Sequence, residues 1–118
     1  MKAFAQALDL VDDPALIAEY EAHHQLVWPD VVDGLRRLGI RRMKIFRTGT
    51  RLFMYYEAPD DFEPARDYQS YAADPRTQEW DRLMRRYQRK VPSAGPDDWW
   101  APMREVFDLE SRPAGEVS

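Results

Sequence analysis

Residues 40–58, IRRMKIFRTGTRLFMYYEA, decide the fold. IRRMKIFR and RLFMYYEA each read as a strand, and TGT at 48–50 supplies the turn that folds them into a hairpin. Tyr55 and Tyr56 are neighbours on the second strand, so one side chain points to the core and the other away.

Upstream, DDPALIAEYEAHHQLVWPDVVDGLRRLG (12–39) is punctuated as a helix at both ends. Asp12 or Asp13 can cap its start. Pro14 suits the first turn, where a missing N–H costs nothing, and Gly39 stands where a helix-ending glycine belongs. The expectation is one helix of roughly two dozen residues, kinked or broken near Trp28 because Pro29 removes a donor inside it. Before it, KAFAQALDLV (2–11) alternates and opens the chain as a strand.

Downstream, DDFEPARDYQSYAA (60–73) reads as a short helix with Pro64 inside it. DPRTQEWDRLMRRYQRK (74–90) is a stronger one, with Pro75 near its start and Trp80, Leu83, Met84 and Tyr87 at helical spacing. VPSAGPDDWWAP (91–102) is a loop, MREVFDLE (103–110) a last strand, and SRPAGEVS (111–118) a flexible tail. The resulting order is βαββαβ, an α+β ferredoxin-like sandwich. No repeat or linker interrupts it, so residues 1–110 read as a single domain. The face of the sheet away from the helices is left bare. A homodimer that pairs sheets, a dimeric α/β-barrel type of assembly, is therefore expected.

Composition narrows the function. At 118 residues and 44% apolar, the chain can build one core but not two domains. Its net charge of −4 argues against nucleic acid as a partner. The basic run RRLGIRRMK (36–44) is broken by apolar positions and reads as solvated faces. With no cysteine there is no disulfide, thiol nucleophile or thiolate metal site. MKAFAQALDL lacks the pattern of a signal peptide, and no stretch approaches the roughly 20 apolar residues of a membrane span. A cytoplasmic protein is expected.

Both histidines sit in YEAHHQLVWPD (20–30). With Leu16 at zero and about 100° per residue, Tyr20, Val27, Ile17 and Trp28 fall between roughly 20° and 120°. His24 falls at roughly 80°, inside that apolar stripe, and His23 at roughly 340°, at its edge. Tyr20, His24 and Trp28 therefore stack along one ridge, and His23 leans toward solvent. An inward histidine is often a packed core residue. This one lies between two aromatics on the helix that covers the sheet, which is how a small polar-ligand pocket is built. One inward histidine without companions makes no metal site. No serine stands on a nucleophile elbow, and no phosphate-binding glycine loop occurs. Acid–base chemistry by His24 remains, helped by Tyr20 or a carboxylate such as Glu57 or Glu79.

EYEAHHQLVWP, the glycine after that helix, the hairpin, the EW at 79–80 and the closing REVFDL together resemble the L-rhamnose mutarotase family. The resemblance runs from about residue 2 to 110. It implies a cofactor-free dimeric enzyme that interconverts the α and β anomers of a deoxy sugar. It implies that His24 is the proton donor, four residues after a sugar-contacting tyrosine, Tyr20. Met43 stands where the family has a sugar-binding tyrosine. Glu79-Trp80 stands where the family has a Trp-Trp pair. That combination resembles the branch associated with L-fucose. The implied substrate-binding set is Tyr20, Met43, Glu79 and Trp80, with no metal and no cofactor.

Mutarotation opens the sugar ring and closes it on the other face of C1. One group takes the anomeric proton while another protonates the ring oxygen, and the resemblance assigns the second role to His24. Glu79, a bound water or Tyr56 could be the other carrier. Trp80 would stack on the apolar face of the sugar. The tryptophans of DDWW (97–100) read as plugs for the end of the dimer or covers for the pocket mouth. Two rival readings share the fold: a cofactor-free monooxygenase or haem-degrading enzyme, and a non-catalytic ligand-binding dimer in which His24 is merely packed.

Overall fold

The computed structural model describes residues 1–110; the tail expected at 111–118 lies outside them. The chain opens with strand β1 (Lys2–Leu10). The long helix expected next is two helices, α1 (Pro14–Gln25) and α2 (Pro29–Arg37). The Asp13 carboxylate caps α1, accepting from the amides of Ala15 at 2.9 Å and Leu16 at 3.3 Å. Pro29 makes the break near Trp28 complete. Unable to continue one helix, it becomes the first residue of the next.

Strands β2 (Arg42–Thr48) and β3 (Arg51–Ala58) form the expected hairpin. Thr48 pairs with Arg51, which leaves Gly49 and Thr50 as a two-residue turn. Gly49 takes φ +57° and Thr50 does not turn positive, the pattern of a type II′ turn, in which only the first position needs a positive value. Gly39, at φ +87°, redirects the chain from α2 into the hairpin.

The second helical half is again double, α3 (Pro64–Ala73) and α4 (Pro75–Arg85). Pro64 starts α3 rather than lying inside a helix from residue 60. A residue with no N–H loses nothing at a helix N-terminus. α4 is capped by Asp74 and ends at Arg85, so Gln88 and Arg89 join the sheet as β4 (Gln88–Arg89). The last strand is shorter than MREVFDLE suggests. Only β5 (Ala101–Met103) pairs, with Ala5–Ala7 of β1. From Arg104 onward the described chain forms no strand, and Val106, Phe107 and Leu109 stay exposed. Their apolar pattern suits a strand, but they do not pair with the remaining Lys2–Phe4 edge of β1.

The sheet runs β2-β3-β1-β4, with β5 also on β1, and all pairs are antiparallel. β4 and β5 thus share one edge, with residues 90–100 looping out between them. This is the ferredoxin-like α+β sandwich. Leu8, Leu10, Leu52, Met54 and Tyr56 are buried under the helices. Ala3, Ala5, Ala7 and Phe53 alternate with them on the other face. There Phe46, 54% exposed, stacks on Phe53 at 6.1 Å, beside the Arg51–Asp9 and Arg42–Glu57 ion pairs.

Candidate active site

Helices and sheet enclose a cavity of about 740 Å³. Gln6, Met43 and Met54 of the strands form its floor, and Tyr20 and His24 of α1 one wall. Trp80 and Asp81 of α4 also line it, as do Trp99 and Trp100 of the 90–100 loop. The volume lies within the range usual for small-molecule sites.

His24 is fixed by its own helix. Its Nδ1 lies 2.9 Å from the carbonyl oxygen of Tyr20, one turn earlier. A carbonyl can only accept, so Nδ1 carries the proton and donates it. Nε2 is left as the nitrogen available to a ligand. The imidazole packs 4.3 Å from the Tyr20 ring and 5.5 Å from Trp80. Burial pulls its pKa below the ordinary 6.5, the bond to Tyr20 offsets part of this, and neighbouring His23 adds to it.

Tyr20 is 3% exposed, and its hydroxyl makes no hydrogen bond among the described residues. Burial pushes its pKa up to about 12; the Gln88 side chain approaches and offsets a little of that rise without reaching bonding geometry. Trp80, 6% exposed, meets Trp28 edge-on at 5.3 Å, and the Arg76 guanidinium lies 4.0 Å over the Trp28 ring. The indole N–H of Trp99 donates to Gln88 at 2.9 Å, and Arg85 sits 4.5 Å over the same ring. Both tryptophans of DDWW thus form cavity wall, supplied by the chain's own loop.

His23 does not simply face solvent. Its Nε2 lies 3.2 Å from the Tyr87 hydroxyl, which donates to Glu19 at 3.3 Å. The three tie α1 to the end of α4, apart from the cavity. Among the described residues, no group of three or more His, Cys, Asp or Glu is suited to a metal, and no helix is long and apolar enough to cross a membrane.

Residues 3–109 match the sequence profile of the L-rhamnose mutarotase family. The chain belongs to this family. It is 41% identical over 111 residues to an L-fucose mutarotase of Xanthomonas campestris, covering 92% of this chain and 89% of that one. It is 50% identical over 113 residues to a UPF0734 protein of Dictyostelium discoideum, covering 92% and 90%. The fold is shared with the crystal structure of an L-rhamnose mutarotase from Formosa agariphila, at TM-score 0.69 and 20% identity over 93% of this chain and all of that one. The chain is thereby placed among carbohydrate isomerases.

The cavity brings together four of the five residues singled out from the sequence: Tyr20, His24, Met43 and Trp80. Glu79 is not among them. It is exposed on the far flank of α4, where Arg76 donates to it at 2.9 Å. Glu57 is also elsewhere, accepting from Tyr55 at 2.6 Å on the open face of the sheet. The carboxylate that does line the cavity is Asp81, which sequence reasoning passed over. Asp81 is exposed as a residue, with its carboxyl group only partly covered. That partial desolvation raises its pKa above the ordinary value, and Arg85 limits the rise.

Proposed function

We propose that this chain is a mutarotase for a 6-deoxy-L-hexose, L-fucose or L-rhamnose, in which His24 protonates the ring oxygen. The observation that carries this reading is the anchored imidazole of His24 in the wall of the cavity. Because Nδ1 keeps its proton on the Tyr20 carbonyl, the proton that moves is the one on Nε2. When His24 is charged, Nε2–H can meet the ring oxygen. When it is neutral, the same nitrogen takes that proton back as the ring closes. The buried Tyr20 hydroxyl offers an unused donor to a sugar oxygen, and the Trp80 indole a surface for the apolar side of the ring. Met43 and Met54 give the 6-methyl group an apolar floor.

L-Fucose is the favoured substrate. The L-fucose mutarotase relative is 41% identical, against 31% for an L-rhamnose mutarotase of Acidiphilium cryptum. Met43 lends the cavity wall no hydroxyl at the place where the resemblance expects a tyrosine. The protein works as a cytoplasmic homodimer without a cofactor. The accessible Phe46–Phe53 pair on the bare face of the sheet supports the pairing of two copies.

Saturation transfer between the anomeric protons of L-fucose, L-rhamnose and D-glucose tests the reading. The enzyme should accelerate exchange of L-fucose most and of D-glucose least. Exchange of both deoxyhexoses at the buffer rate would contradict it.

A further inference from the structure

We propose that Asp81 is the second proton carrier, taking the proton of the anomeric hydroxyl while His24 protonates the ring oxygen. This rests on the mutarotase reading above and adds the group that reading lacks.

The placement is geometric. α4 presents Trp80, Asp81, Met84 and Arg85 to the cavity, an arc of about 140° at about 100° per residue. Glu79 falls outside that arc and is held by Arg76. Trp80 is the shared landmark. The His24 ring lies 5.5 Å from its indole, and Asp81 follows it directly along the cavity wall. A sugar resting against the indole therefore has the imidazole and the carboxylate within the same enclosure. Among the lining residues, His24 is the one imidazole and Asp81 the one carboxylate. Tyr56, which also lines the cavity, has its phenol pKa raised by burial and stays protonated. Among the described residues the Asp81 carboxylate makes no hydrogen bond.

The charged and titratable groups that interact with Asp81 are Arg85 on its own helix and Tyr71 of α3, and Arg36 of α2, Arg41 and His24 line the same cavity. Burial pushes the Tyr71 phenol up, and the charge of Asp81 adds to that rise. The singly protonated pair, imidazolium and carboxylate, is the working form.

The step balances without a co-reactant. The proton on O1 passes to the Asp81 carboxylate as C1=O1 forms. The C1–O5 electron pair goes to O5, which takes the proton from His24 Nε2. The open-chain aldehyde turns about C1–C2. O5 then attacks the other face of C1, returning its proton to His24, while Asp81 returns its own to O1.

The test is anomer exchange of L-fucose from about pH 4.5 to 8 with wild type, Asp81→Asn and Asp81→Glu. The asparagine variant should still fold, since the desolvation that opposes the charged carboxylate spares a neutral amide. It should lower kcat about 100-fold with little change in KM, and lose the acid limb of the pH profile. The glutamate variant, which keeps the carboxylate, should recover part of kcat and restore that limb. If Asp81→Asn keeps wild-type kcat and both limbs, or changes KM alone, Asp81 only grips a hydroxyl and the proposal is overturned. A wild type that accelerates no deoxyhexose overturns the mutarotase reading itself, and the role of Asp81 with it.

Discussion

The imidazole of His24 is tied through Nδ1 to the carbonyl oxygen of Tyr20, 2.9 Å away and one helical turn earlier. Tyr20 therefore acts on the histidine twice. Its backbone fixes which nitrogen is free, and its ring, 4.3 Å away, fixes where that nitrogen stands. In turn, burial that favours packing lowers the histidine's pKa and makes its charged form a stronger acid but a scarcer one.

That trade sets the pH dependence. The acid step needs protonated His24, so kcat/KM should fall as pH rises through a value below 6.5. The base step needs ionised Asp81, so kcat/KM should also fall as pH drops through a value above 3.8. A pH profile of L-fucose anomer exchange should thus be a bell with its maximum on the acid side of neutrality. A rate that climbs steadily to pH 9 would show that protonated His24 is not the acid.

Tyr20→Phe separates binding from stability. The hydroxyl is buried without a partner, so its removal should leave thermal stability unchanged or raise it. A hydrogen bond to substrate is worth about 1 kcal/mol net, so KM for L-fucose should rise roughly fivefold. Calorimetry and initial rates on the same preparation check both halves. A large drop in Tm would mean that the hydroxyl is engaged in the free protein.

Glu79→Ala should be nearly silent. Its partner Arg76 is about half exposed, and such surface pairs contribute about 0–1 kcal/mol. Exchange kinetics within twofold of wild type are expected. A loss like that expected of Asp81→Asn would mean the cavity-facing flank of α4 is the opposite one.

Gly39→Ala tests the joint between α2 and the hairpin. The residue sits at φ +87°, and an added Cβ would come within 2.8 Å of the Pro59 ring. Left-handed backbone alone costs an alanine about 1–2 kcal/mol, so thermal unfolding should shift down by roughly 5–10 °C. An unchanged Tm would show that the connection is loose rather than fixed by this contact.

Much of this architecture was legible in local signals. Capping Asp13 with Pro14, the TGT turn and the alternation of RLFMYYEA each act over a few residues, and each appears as read. The helical wheel also put His24 beside Tyr20, because α1 is regular as far as Gln25. What was not legible depends on partners distant in sequence. REVFDL has the apolar content of a strand, but pairing with β1 stops at Met103 although β1 runs on to Lys2. On α4, the inward side chains of Thr77, Trp80, Leu83, Met84 and Tyr87 centre near Trp80, which puts Glu79 and Asp81 at about 100° to either side. Periodicity is symmetric between them. Only the tertiary structure separates them: both are exposed residues, but Asp81 lines the cavity and Glu79 pairs with Arg76 instead.

The most direct test of the central claim is the rate of L-fucose anomer exchange, measured by saturation transfer near pH 6, in wild type and His24→Ala. A positioned proton donor contributes about 10²–10⁴-fold, so the variant should lose at least 100-fold in kcat while still binding the sugar. Exchange in His24→Ala within a few-fold of wild type would contradict the account, because the anchored imidazole would then be packing and nothing more.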